Sequence, residues 1–219
     1  MINEGEKIRS YFSRNAETFD SIYSGKNGFF AKFLNRSFRS DIYERFRLAM
    51  RYSGDIRRKT VLDLGCGTGR YAVEFAKGGA AKVVGVDFVK NVIEKARIMA
   101  RQEGVGQICE FKAQDIFEYQ PEEKFDIVIS MGVFDYMKNP LAFLKRMLAL
   151  SRAKLITSFP SYSVIRTPIR KLRYRLRDCP VYFYTRGSIE TLLEQAGISR
   201  YDIIKIRGAG LDFFVHADI

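Results

Sequence analysis

The chain has one histidine, His216, and three cysteines with no C-x-x-C pair among its 219 residues. The first shortage excludes a histidine-rich metal site. Cys66, Cys109 and Cys179, scattered singly, read as reduced thiols rather than a disulfide framework or a zinc site. No apolar run approaches the roughly 20 residues that a bilayer demands. The opening MINEGEKIRSYF lacks the basic-then-apolar order of a signal peptide, so the expected location is cytoplasmic. Low-complexity tracts are missing as well. What remains, 47% hydrophobic and 28% charged, is the composition of a folded protein with one core, a single domain with appended helices. Acidic residues are the scarcer charge, 25 Asp plus Glu against 37 Lys plus Arg, which leaves +12 and a pI near 9.7. That balance favours an anionic partner, whether nucleic acid, a membrane surface or an acidic small molecule.

The organising stretch is Thr60 to Ala72, TVLDLGCGTGRYA. Val61, Leu62 and Leu64 suit a strand buried on both faces, and Gly65, Gly67 and Gly69 suit a sharp turn that a ligand approaches closely. The helix that follows presents free N–H groups to that turn. A dinucleotide fingerprint would carry its third glycine where Arg70 stands. An acid, Asp63, instead precedes the first glycine by two positions, where a carboxylate repels a pyrophosphate but receives a cationic amine. This D-x-G-x-G-x-G stretch closely resembles the first motif of class I S-adenosylmethionine-dependent methyltransferases. The resemblance implies that the glycine turn lies against the methionine part of the cofactor and that Asp63 helps to place its amino end.

The rest of the chain alternates strand and helix. The patterns predict helices over Phe29–Tyr52, Asn91–Glu103, Leu141–Leu150 and Ser188–Ala196. Strands are predicted over Ala80–Val86, Ile108–Ala113, Phe125–Ser130 and Ala153–Phe159. Alternation of this kind means right-handed crossovers and a parallel, doubly wound sheet. Two last apolar runs, Tyr201–Ile206 and Leu211–Ala217, form a hairpin that inserts an antiparallel strand. The expected fold is α/β, Rossmann-like, with a seven-stranded, mostly parallel sheet in three α/β/α layers, as the resemblance also implies. Residues 1–59 read as a helical arm and cap, and 60–219 as the methyltransferase domain. Lys32, Arg36, Arg39, Arg45, Arg47 and Arg51 form a basic helix face that either meets an anion near the active-site edge or, the favoured reading, is solvated, and His216 reads as structural.

Ligands of such sheets bind beyond the carboxyl ends of the strands. Those ends supply Asp87, suited to both ribose hydroxyls, then Phe88, a flat face for adenine, and Met131 at the methionine end. Asp115 matches the family position that accepts from the adenine amino group, with Ile116 as an apolar neighbour. The N-terminal aromatics Tyr11 and Phe12 are candidates for a cover over the cofactor. The expected cofactor is S-adenosylmethionine, with S-adenosylhomocysteine as product and no metal.

The segment after the fourth strand, SMGVFDYMKNP, contains neither N-P-P-Y nor a Pro-Cys pair. That argues against adenine-N6 and cytosine-C5 chemistry. It resembles the same segment in small-molecule O-methyltransferases of the ubiquinone and tetrapyrrole type. There an acid followed by histidine is common; Asp135 and Tyr136 stand in those places as catalytic candidates. Pro160–Tyr184 reads as a lid at 160–184. Its Arg166, Arg170 and Arg173 are candidates to grip an anionic acceptor, and 164–177 could equally lie on an anionic membrane or track phosphates. Together with the run YFS…FDSIYSG, the lid distantly resembles magnesium-protoporphyrin carboxyl methyltransferases. The expected function is methyl transfer to oxygen of a small anionic or lipid-linked acceptor. An RNA methyltransferase or a non-catalytic binding protein on the same fold are the alternatives.

Overall fold

The structure is a computed structural model that describes Ile8, Ser10, Tyr11 and residues 43–162, 166–175, 179–206 and 212–219. Its centre is a seven-stranded sheet: β1 (Thr60–Leu64), β2 (Lys82–Asp87), β3 (Cys109–Ala113), β4 (Phe125–Ser130), β5 (Ser151–Phe159), β6 (Tyr201–Lys205) and β7 (Phe213–Asp218). Their spatial order is β3-β2-β1-β4-β5-β7-β6. β1 to β5 run parallel, and β7 is antiparallel to both β5 and β6. The expected α/β architecture and its inserted antiparallel strand are therefore the observed ones.

The two faces of the sheet follow from strand alternation. Leu62, Leu64, Val84, Val86, Val128 and Leu155 point into one apolar cluster, while Val61, Val83, Ile127, Ile129 and Ile156 point into the other. The first cluster is closed by helices α4 (Pro140–Leu150) and α6 (Arg186–Gln195). The second is closed by a helix described over residues 43–53, α1, together with α2 (Arg70–Lys77) and α3 (Lys90–Gln102). Both faces are thus covered, which is why these strands tolerate near-continuous hydrophobic runs.

Differences from the sequence reading lie at element ends, where side-chain caps decide. α6 starts at Arg186, not Ser188, because Thr185 caps it: Thr185 Oγ1 accepts from Ser188 N–H and Ser188 Oγ accepts from Thr185 N–H. α4 starts at Pro140 because Asn139 Oδ1 accepts from Ala142 N–H. β2 starts at Lys82, since Ala80 and Ala81 N–H are engaged by the carbonyls of Phe75 and Lys59 outside the strand ladder. His216 lies mid-sheet, its ring stacked 4.1 Å from that of Tyr52 and its Nε2 3.2 Å from Asp202 Oδ2. Burial lowers its pKa below the ordinary histidine value.

Candidate active site

β1 and β4 are neighbours, yet their crossovers leave to opposite sides of the sheet, so a crevice opens beyond their carboxyl ends. The glycine corner fills that position. Gly65 and Cys66 N–H both donate to Val86 O at the end of β2, and Gly67 N–H donates to Asp87 Oδ2 at 3.0 Å. Val89 N–H donates to the other oxygen, Oδ1, at 2.9 Å. Asp87 therefore braces the corner against the start of α3, and each of its oxygens keeps a second lone pair for a ligand hydroxyl. Burial raises its pKa, partly offset by those two N–H donors.

The glycines do different jobs. A β-carbon on Gly65 would collide with Val133, and one on Gly69 would lie 2.8 to 2.9 Å from Phe111 and Ala96. Gly67, at φ +52°, has nothing within 4 Å in that direction among the described residues. It is the open floor of the corner, where another molecule can come close to the backbone. Asp63, almost wholly buried, stands two residues before the first glycine of the corner, and among the described residues its Oδ2 has no hydrogen-bond partner. Burial, then the nearby Asp87 charge, push its pKa up to about 7, against a smaller opposing contribution from Ala72 N–H. A buried carboxylate oxygen without a donor is expensive unless something supplies one. A cationic amine does, so these residues fit the amino end of S-adenosylmethionine.

The remaining cofactor candidates also stand at strand ends. Phe88 is half-buried against Val89 and Val92. Asp115 closes a turn in which its Oδ1 accepts from Phe117 N–H at 2.8 Å. Ile116 is buried in the core, whereas Phe117, which sequence reasoning did not single out, is 45% exposed. Met131 is half-buried against the second cluster.

A single-turn helix, Phe134–Tyr136, follows β4 and carries both catalytic candidates. Asp135 is half-buried, and its carbonyl accepts from Tyr182 N–H at 2.8 Å. The Tyr136 hydroxyl lies 3.3 Å from that of Tyr174, on the lid helix α5 (Arg166–Arg175). Tyr11, buried as the arm reading allowed, sets its ring 5.8 Å from the Tyr174 ring. Burial and the neighbouring Tyr174 and Asp135 drive the Tyr136 pKa well above the ordinary phenol value. A shift in that direction favours the protonated hydroxyl. Tyr174 was missed, although it is the one aromatic between Ile165 and Cys179.

The two ends of the 160–184 segment are tied together, where Tyr162 N–H donates to Tyr184 O and Tyr184 N–H to Pro160 O. Arg166, Arg170 and Arg173 fall on α5, but their side chains lie outside the described residues, as does Phe12. Leu172 on this helix is 62% exposed. No helix among the described residues is long and apolar enough to cross a membrane.

Two measurements on the ligand-free protein test this geometry. Gly69→Ala should lower the melting temperature strongly. Gly67→Ala should cost only the left-handed backbone penalty of about 1–2 kcal/mol; equal losses would contradict an open floor at Gly67. Asp63 binds its proton more tightly folded than unfolded, so its contribution is full below its ordinary pKa of 3.8 and is lost as pH rises through about 7. The melting advantage of Asp63→Asn over wild type should therefore widen across that interval, reaching up to about 4 kcal/mol, and level off above it.

Residues 57–178 match the family described as "Methyltransferase domain". The chain is 36% identical over 94 residues to a ubiquinone biosynthesis O-methyltransferase of Neisseria meningitidis serogroup C, spanning 42% of this chain and 39% of that protein. It is 40% identical over 78 residues to a ribosomal protein L11 methyltransferase of Klebsiella pneumoniae, spanning 35% of this chain and 25% of that one. The matches thus cover two fifths or less of these curated relatives. Among solved structures, the magnesium protoporphyrin IX methyltransferase of Synechocystis PCC 6803 with bound S-adenosylhomocysteine superposes with a TM-score of 0.79. That superposition covers 96% of this chain and 97% of that one at 21% identity, a likeness of fold. With the glycine corner, the strand order and a family match over more than half its length, the chain belongs to the methyltransferase domain family.

Proposed function

We propose that the protein is an S-adenosylmethionine-dependent methyltransferase that transfers to oxygen of a small anionic acceptor. The observation that carries this reading is the pairing of the open floor at Gly67 with the donor-less oxygen of buried Asp63. When bound, the cofactor supplies a methyl group already activated by its sulfonium. Asp63 receives the amino end, Asp87 accepts from the ribose hydroxyls, and the turns after β2 and β3 border the adenine. The backbone at Met131 lines the methionine side. Tyr136 holds its proton at Oη and donates toward the acceptor oxygen, which fits an acceptor that arrives ionised and needs no base.

The anionic character is supported by a groove of about 310 Å³ beside the single-turn helix. Tyr162, Tyr182, Phe183 and Tyr184 give it flat apolar walls, Lys138 and Lys171 give it positive charge, and no carboxylate lines it among the described residues. The similarity to an O-methyltransferase of ubiquinone biosynthesis and to a porphyrin methyltransferase supports a small-molecule acceptor. Residues 160–184 act as the substrate lid and residues 1–59 as arm and cap.

Calorimetric titration with S-adenosylmethionine and S-adenosylhomocysteine tests the reading. Micromolar binding that Asp87→Ala loses is the expected result, and a folded wild type that binds neither compound sinks it. Because Asp63 must shed its proton to meet an ammonium group, affinity should weaken roughly tenfold from about pH 8 to about pH 6. Asp63→Asn should flatten that dependence.

A further inference from the structure

α5 turns its leucine outward. Thr167 and Tyr174, seven residues apart and so on one face of the helix, point inward: Thr167 is buried, and Tyr174 meets the Tyr136 hydroxyl and the Tyr11 ring. Pro168 and Leu172, four residues apart, share another face and are exposed, Leu172 at 62%. Lys171, next to Leu172 and exposed as well, lines the groove of about 310 Å³ together with Tyr162, which is 53% exposed. Exposed apolar side chains scattered singly are ordinary. Here Tyr162 and Leu172, two of the six large ones exposed among the described residues, flank a single lysine at one rim.

The charge of the segment is one-sided. From Pro160 to Arg177 the sequence has six Lys or Arg and no Asp or Glu, in a chain that carries +12 overall. Two kinds of large anion are drawn to such a surface. A nucleic acid offers phosphates and flat bases, and an aliphatic side chain standing outward serves neither. An anionic bilayer offers phosphates at the level of the cations and acyl chains just below, where a leucine gains by leaving water. Tyrosine suits the boundary between the two layers. We propose that the face of α5 bearing Leu172 and Lys171, with Tyr162 beside it, docks on an anionic lipid surface. Leu172 enters the acyl boundary, the cations meet the headgroups, and the mouth of the groove comes to the headgroup layer. The contact is peripheral, because α5 has ten residues, half of what a span requires.

Co-sedimentation of the cofactor-free protein with vesicles of phosphatidylcholine alone, and with vesicles carrying about one third phosphatidylglycerol, tests the proposal. Wild type should bind the anionic vesicles roughly tenfold or more tightly than the neutral ones at low salt, and the preference should shrink as salt is raised. Leu172→Ser should weaken binding to anionic vesicles by roughly three- to tenfold at either salt, since its contribution is apolar. Lys171→Glu should weaken it by a similar factor at low salt only. Ile98→Ser and Arg101→Glu, at exposed positions of α3, should leave it unchanged. A wild type that ignores the anionic vesicles, or binds both kinds equally, overturns the proposal, as do equal losses from the α3 variants. Tighter binding to single-stranded RNA of random sequence, with Leu172→Ser indistinguishable from wild type, gives the face to nucleic acid and overturns it too. Every readout is taken without cofactor, so failure here leaves the methyl-transfer reading intact.

Discussion

One carboxylate holds the crevice together. Asp87 accepts Gly67 N–H on one oxygen and Val89 N–H on the other, and with Val86 O it fastens the glycine corner to the end of β2. Everything that lies over the corner depends on that anchorage. α2 begins at the far side of the turn, with Gly69 capping it in the left-handed conformation. The post-β4 turn then packs Val133 directly on Gly65. Because the corner is tied laterally to β2 and vertically to α2, its one open backbone position, Gly67, is held still without being covered. Preorganisation of this kind reduces the ordering entropy that a ligand must otherwise overcome.

The same anchorage brings two acids into a small dry volume. Asp63 and Asp87 both have raised pKa values, with burial as the first cause, and the Asp87 charge adds to the shift of Asp63. Local energetics alone would favour an amide at position 63. A carboxylate there destabilises the empty protein above neutral pH, a cost that an incoming cation would offset under the function proposed above.

Most of the sheet could be read from sequence because strands buried on both faces are long apolar runs bounded by turns, and the alternation with helices dictates parallel crossovers. The β1 corner was legible for the same reason: glycines and the preceding acid act through backbone geometry, which is local. What escaped was set by tertiary contact. Asp87 looked like a ribose acceptor or a simple cap, and only the fold shows it reaching back to Gly67. Arg45 belongs to the basic face whose favoured reading was solvation, yet its side chain is only 20% exposed; its position between Ile42 and Phe46 and three before Leu48 falls beside the apolar stripe of that helix. A charge inside such a stripe is a signal of burial that charge counting hides.

The tyrosine contacts join three segments that sequence keeps far apart: the N-terminal arm through Tyr11, the post-β4 turn through Tyr136 and the lid through Tyr174. Their packing half-buries Tyr136 and sets its hydroxyl beside that of Tyr174. A phenol held far above its usual pKa cannot abstract a proton near neutrality, and the lone histidine is committed to Tyr52 and Asp202 in mid-sheet. Asp135 is the other polar side chain of that single-turn helix, and under the function proposed above an acceptor that arrives already ionised would need no base from the turn.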